Sequence, residues 1–185
     1  MMMKRIGAVA VAALTMLAQP GFAQDAPADL AARLQEGGLV VFFRHGVTRP
    51  DEESVPRIEG CEDERNLTDA GRSALQGVHA AFQAIDPEIS EVLSSPFCRA
   101  RETAIIAFGD VQVTDALSSR IDDARDAERL VETSRLLSTP PAPGTLRIMV
   151  AHYSNLTDAL GISIAEGEAA IFDPQDDGEG EPELI

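Results

Sequence analysis

Two short, unbroken apolar runs each end on a histidine. Leu39-Val40-Val41-Phe42-Phe43 leads into Arg44-His45-Gly46, and Ile148-Met149-Val150-Ala151 leads into His152. Apolar runs of this length without polar alternation read as strands covered on both faces, the pattern of a parallel sheet between helical layers. Such sheets collect their chemistry in the crevice outside the carboxyl ends of the strands. The two imidazoles, far apart in the chain, are therefore expected to emerge into one pocket.

The remaining pattern supplies the layers. Residues 26–35 read as a short helix closed by Gly37-Gly38. A polar loop from Val47 to Asn66 follows, carrying Pro50, Pro56 and Gly60. Thr68 is placed to cap a helix running to Ile85, with Leu75, Val78, Phe82 and Ile85 on its apolar face and Pro87 beyond its end. Glu91 to Ser94 reads as a strand, Phe97 to Phe108 as a helix ended by Gly109, and Val111 to Val113 as a short strand. Ile121 to Leu137 reads as a charged helix, and the stiff Pro140-Pro141-Ala142-Pro143-Gly144 connection precedes the strand at Leu146. Strands alternating with helices predict a three-layer α/β/α sandwich with a mostly parallel sheet. No internal repeat is visible.

The amino terminus sets the expected compartment. Lys4 and Arg5 precede the small apolar stretch Ile6–Ala18, and Gly21-Phe22-Ala23 suits cleavage after Ala23. This is the pattern of a secretory signal peptide over residues 1–23, too short in its apolar core for a comfortable membrane span. The mature chain from Gln24 would hold about 162 residues, enough for one domain with a real core. That domain is assigned to residues 24–172, with an acidic, solvated tail over 173–185. The expected location is periplasmic or secreted, without stable membrane association after cleavage.

The formal charge of −16 becomes about −18 once Lys4 and Arg5 are removed. Nucleic acid and anionic membrane surfaces are therefore excluded as expected partners, because both would be repelled at long range. With no lysine beyond Lys4, any anion pocket must be built locally from arginine, whose planar fork suits phosphate oxygens.

Four local patterns stand in a fixed order: Arg44-His45-Gly46; Leu67-Thr68-Asp69-Ala70-Gly71-Arg72; Ser94-Ser95-Pro96-Phe97-Cys98-Arg99-Ala100-Arg101-Glu102-Thr103-Ala104; and Val150-Ala151-His152. In these motifs the chain resembles the histidine phosphatase superfamily, the group related to phosphoglycerate mutases. One Arg-His-Gly would be weak grounds, but four motifs in order over nearly the whole mature domain are specific.

The resemblance implies a phosphatase acting on a small phosphorylated substrate. His45 would be the nucleophile that forms a phosphohistidine, its pKa expected to stay near neutrality. Arg44 and Arg99 would clamp the phosphoryl oxygens, and His152 would donate to the same oxygens. No cofactor and no metal are expected, since no clustered ligand spacing is present. His79 is expected to be a partly buried helix histidine without a catalytic role. Arg101 should point about 200° round the helix from Arg99, and Arg49, Arg57 and Arg65 are read as exposed loop arginines.

The proton donor to the leaving oxygen is not marked by a motif. The carboxylates after the second arginine motif are Asp115, Asp122, Asp123, Asp126 and Glu128, of which Asp122 and Asp126 are taken first. Glu166 and Glu168 are a further possibility, although carboxylates on a turn are usually solvated. Tyr153 and Ser154 follow His152 where the phytase-like branch carries its acid, which disfavours that branch. Cys61 and Cys98 are the chain's two cysteines, and in an exported protein they are expected to pair, pinning the Val47–Asn66 loop beside Arg99. Hydrolysis is preferred to phosphomutase chemistry, because a mutase must shield its phosphohistidine from water and usually needs longer covering segments. A non-catalytic phosphate-recognition module is the remaining alternative.

Overall fold

The computed structural model describes residues 27–50, 60–61, 64–120, 123–174 and 180–185. The expected signal peptide, Arg57 and Asp122 lie outside them. In chain order the elements are α1 (Pro27–Glu36), β1 (Val40–Arg44), α2 (Asp69–Ile85), β2 (Ile89–Ser94), α3 (Cys98–Phe108), β3 (Gln112–Val113), a 3₁₀ turn (Asp115–Leu117), α4 (Asp123–Ser138), β4 (Leu146–Ala151), α5 (Tyr153–Leu160), β5 (Ala169–Asp173) and β6 (Glu183–Leu184).

The strands form one sheet in the order β3-β2-β4-β1-β5-β6. β3, β2, β4 and β1 run parallel, whereas β5 and β6 are antiparallel additions at one side. Because side chains alternate across a strand, Val41 and Phe43 bury on one face, with Leu75, Ala100, Ala104 and Ala107 of α2 and α3. Val40 and Phe42 bury on the other, with Leu117, Leu136, Leu137 and Leu156 of the 3₁₀ turn, α4 and α5. The result is the expected α/β/α sandwich. Phe42, Met149 and Phe172 are fully covered, each contributing about 1.5–3 kcal/mol of hydrophobic stabilisation.

Local chemistry explains the element ends. Thr68 is extended and its Oγ1 accepts the Gly71 N–H at 2.9 Å, opening α2. α2 ends one residue before Pro87, at Asp86, which adopts a left-handed conformation (φ 53°) and donates its N–H to Phe82 O. The 3₁₀ turn, α5, β5 and β6 had no reading in the sequence. α5 has eight residues, too short for a clear helical period, and β6 pairs with β5 within what reads as a solvated tail. Leu184 lies opposite Phe172, and the Ile185 N–H donates to Ile171 O, so the acidic tail ends as an edge strand. Among the described residues, no helix is long and apolar enough to cross a membrane.

Candidate active site

The register aligns the carboxyl ends of the parallel strands. Arg44 pairs with Ala151, so His45 and His152 leave adjacent strands at the same level. Ser94 pairs with Val150, which brings Ser95 and the start of α3 to that edge. The imidazoles lie with ring centroids 5.3 Å apart, and each residue is about 2% exposed.

His45 has its tautomer dictated by the backbone. Its Nδ1 lies 2.9 Å from Gly46 O, and since a carbonyl can only accept, Nδ1 carries the proton and Nε2 keeps its lone pair. The ring is held neutral, its pKa lowered to about 3, principally by burial and further by the Arg99 and Arg44 charges; the Gly46 hydrogen bond and Glu166 oppose this. That is far below the near-neutral value expected from the sequence, because His45 is buried at the strand end rather than set in water. The Thr103 Oγ1 accepts the Gly46 N–H and donates to Arg99 O, linking the first histidine motif to α3.

His152 is fixed from both sides. Arg99 Nη2 donates to its Nδ1 at 3.3 Å, so the proton sits on Nε2, which donates to Ser95 Oγ at 2.8 Å. Burial first, and then the nearby Arg99, hold its pKa well below the usual histidine range. Neutral His152 therefore orients Arg99. Donation from Nδ1 to a phosphoryl oxygen requires protonation of the ring, which a dianion beside it would favour.

Arg99 carries the most heavily desolvated charge of the site. Arg99 is 2% exposed and stacks 4.6 Å from the Phe97 ring, and burial lowers its pKa to about 10, with Arg65 the next cause. Arg44 donates to Ile164 O and to Glu166, with its guanidinium 5.4 Å from the Tyr153 ring centre. Four buried guanidinium nitrogens here have no hydrogen-bond partner among the described residues: Arg44 Nε, Arg65 Nε, and Arg99 Nε and Nη1. Buried unpaired donors are rare and costly, and donors clustered in this way suit an anion with several acceptor oxygens.

Two carboxylates join this set: Glu166, read from sequence as a further possibility for the acid, and Glu64, which the sequence did not single out. Glu166 accepts from Thr48 N, Thr48 Oγ1, Arg65 Nη2 and Arg44 Nη2. Burial alone would raise its pKa, yet the hydrogen bonds from Thr48 N and Oγ1 and the Arg65 ion pair leave it lowered and the group ionised. It is thus an anchor for the arginines and not a stored proton. Glu64 is 4% exposed and its Oε2 accepts the Cys98 N–H at 2.7 Å, capping α3 in place of Phe97, which offers no side-chain bond. Burial raises the Glu64 pKa. No local signal marks either residue, since their partners are distant in sequence.

The loop that delivers Glu64 and Arg65 is tied to α3 by a Cys61–Cys98 disulfide with Cα atoms 5.7 Å apart. Gly71 explains the helix-opening motif on the same side: a Cβ there would lie 2.5 Å from Val47 O, so only glycine lets α2 approach the segment leading to Thr48. Arg65, read as an exposed loop arginine, instead pairs with Glu166 at 3.1 Å. Arg49 and Arg101 are exposed, and His79 is half-buried with Nδ1 near Ala107 O. Asp126 is not among the residues brought against His45. It lines a separate cavity of about 330 Å³ with Asp115, Ser118 and Arg129, and its carboxylate accepts from Arg129. Glu128 lines that cavity too, while exposed Glu168 caps its own turn through Ala165 N.

Comparison with known proteins points the same way. The family model described as "Histidine phosphatase superfamily (branch 1)" matches residues 40–123, a span that holds His45, the helix-opening motif and Arg99 but stops before His152. Among solved structures, the protein histidine phosphatase SixA complexed with tungstate is similar at 17% identity and TM-score 0.56, over 80% of this chain and 94% of that one. Rv3214 from Mycobacterium tuberculosis is similar at 16% identity and TM-score 0.57, over 80% and 95%. A phosphoserine phosphatase variant from Entamoeba histolytica, in complex with phosphoserine, is similar at 15% identity and TM-score 0.51, over 80% and 94%. No curated protein matches the sequence. The motifs in order, the family-model match over residues 40–123 and the shared fold together support assignment to the histidine phosphatase superfamily.

Proposed function

We propose that this chain, a phosphatase by its family, hydrolyses a phosphomonoester through a phosphohistidine on His45 Nε2. The observation that carries the reading is the His45 tautomer. The Gly46 carbonyl holds the proton on Nδ1, and burial keeps the ring neutral, so the nucleophile needs no deprotonation before attack. Nε2 attacks phosphorus as the ester P–O bond breaks, and the leaving oxygen departs as the alkoxide or aryloxide and takes its proton from water. Water then attacks the phosphohistidine, the P–N bond breaks, and phosphate departs with the imidazole restored. Arg44 and Arg99 hold the non-bridging oxygens throughout, as fixed donors aimed where charge is shared in the transition state. Neutral His152 keeps Arg99 in place by accepting at Nδ1; protonated there, a state that a neighbouring dianion favours, it donates to a phosphoryl oxygen instead.

Export belongs to the same proposal. The basic, apolar and small-residue order of residues 1–23 supports it, and an exported enzyme releasing phosphate from small esters fits the single-domain size. The test is hydrolysis of a chromogenic aryl phosphate by the chain from Gln24 to Ile185, with chelator present and His45→Ala alongside. Turnover in the parent chain, a labelled phosphohistidine on rapid quenching, and loss of both in His45→Ala are expected. Turnover retained in His45→Ala would remove His45 from the nucleophile role, and phosphate binding without turnover would favour the recognition module. A mass of the exported protein beginning at Gln24 is the corresponding check on export; an unprocessed chain would refute it.

A further inference from the structure

We infer that Arg65 is a third guanidinium of the phosphate site, donating directly to the transferring phosphoryl group and delivered there by the disulfide-tied loop. The inference rests on the phosphohydrolase reading and adds to it a binding residue from outside the four motifs. Three observations carry it. Among the described residues, buried Arg65 Nε has no partner, and the same holds for Arg44 Nε and for the Nε and Nη1 of Arg99, so the same unmet demand for acceptors extends to this side chain. Arg65 and Arg44 share one carboxylate oxygen, Glu166 Oε1, at 3.1 and 3.4 Å, which places their charged heads on either side of a single atom. Arg65 is also the first charge, after burial, among the causes of the lowered Arg99 pKa, in keeping with two cations in one site.

Three like charges so close are unfavourable without an anion among them. Glu166 compensates part of this, and its own carboxylate is satisfied by Thr48 N and Oγ1 as well as by the arginines. A phosphoryl group, with several equatorial oxygens, accepts from a planar fork in a way one carboxylate cannot match. The loop is held for this purpose at two points. The Cys61–Cys98 disulfide precedes Arg65, and Glu64, its immediate neighbour, caps α3 at the Cys98 N–H. Arg65 is thereby fixed relative to Arg99, the next residue after Cys98.

A bland account also exists: Arg65 could act only by neutralising Glu166. A double-mutant cycle separates the two. Affinity for inorganic phosphate is measured by calorimetry for the mature chain, Arg65→Ala, Glu166→Gln and the double variant, with thermal melts to verify folding. Direct contact predicts at least a tenfold loss in Arg65→Ala, and the same loss when Glu166→Gln is compared with the double variant. A loss that vanishes in the Glu166→Gln background would overturn the inference, as would an affinity within twofold of the parent in Arg65→Ala, or a parent chain that does not bind phosphate. If Arg65→Ala fails to fold, Arg65→Lys takes its place: it retains a charge but lacks the fork, and at least a threefold loss is expected, parent-like affinity being the refuting result. Because the readout is binding, absence of turnover in the parent would defeat the proposed function while leaving this result to be judged by itself.

Discussion

Replacing Arg99 by methionine should separate function from stability in opposite directions. Arg99 is buried with two guanidinium nitrogens, Nε and Nη1, that make no hydrogen bond. If each meets a phosphoryl oxygen in the transition state, two charge-assisted bonds at about 1.5–3 kcal/mol apiece are at stake. At roughly 1.4 kcal/mol per decade, kcat/KM should fall on the order of 10²- to 10⁴-fold. Stability should not follow. The native protein holds a desolvated cation with unmet donors, its pKa lowered to about 10 chiefly by burial, and an apolar side chain of similar length removes that cost. Methionine can also remain against the Phe97 ring that the guanidinium now covers at 4.6 Å. Unfolding free energy from urea titration is therefore expected to stay the same or rise by about 1–3 kcal/mol. Aryl phosphate kinetics and urea titration on the same preparation decide the matter. Activity within tenfold of the parent, or a loss of more than about 2 kcal/mol of stability, would refute the argument that these donors are reserved for the anion.

Acid should destabilise the fold through its buried histidines. His45 titrates near 3 in the folded chain against 6.5 unfolded, so between those values the unfolded state binds more protons, and stability falls as pH drops from 6.5 toward 3. His45→Gln should flatten that dependence in urea titrations at pH 4, 5 and 7; an unchanged slope would contradict the lowered value. The acid limb of kcat/KM should correspondingly follow the second ionisation of the substrate phosphate, at about 6, and move with substrates of different acidity. A limb that stays fixed across substrates would point to an enzyme group instead. Replacing both cysteines by serine opens a link of sequence separation 37, for which the chain-entropy model gives about 4 kcal/mol of lost stability. The same variant should bind phosphate more weakly, because the loop carrying Arg65 is released; unchanged melting and binding would show that the link is idle.

The sequence alone determined the sandwich, and particular residues show why. The apolar runs at Val40–Phe43 and Leu146–Ala151 have no exposed face, so a sheet between helices is the arrangement that covers them. Because parallel strands present their ends together, the placement of His45, Arg99 and His152 at one edge followed from where the runs stop. Thr68 and Gly71 were legible for a related reason, as capping and close approach leave local marks in sequence.

What only the tertiary structure decided depends on contacts between segments with no mutual signal. Glu166 acquires its arginines from β1 and from the disulfide-tied loop, so a carboxylate that reads as a solvated turn residue becomes an ionised anchor. Glu64 caps a helix that begins 34 residues later, and Arg65 turns inward because the Cys61–Cys98 bridge holds its loop against α3. The tail forms an edge strand because β5 leaves its backbone groups unpaired on that side. How far both histidine pKa values are lowered was likewise invisible, since burial and nearby guanidinium charges, and not residue type, set it. Strand ends and caps are written in neighbouring residues, whereas desolvation and shared counter-charges come into being only when distant segments close over the same few cubic ångströms.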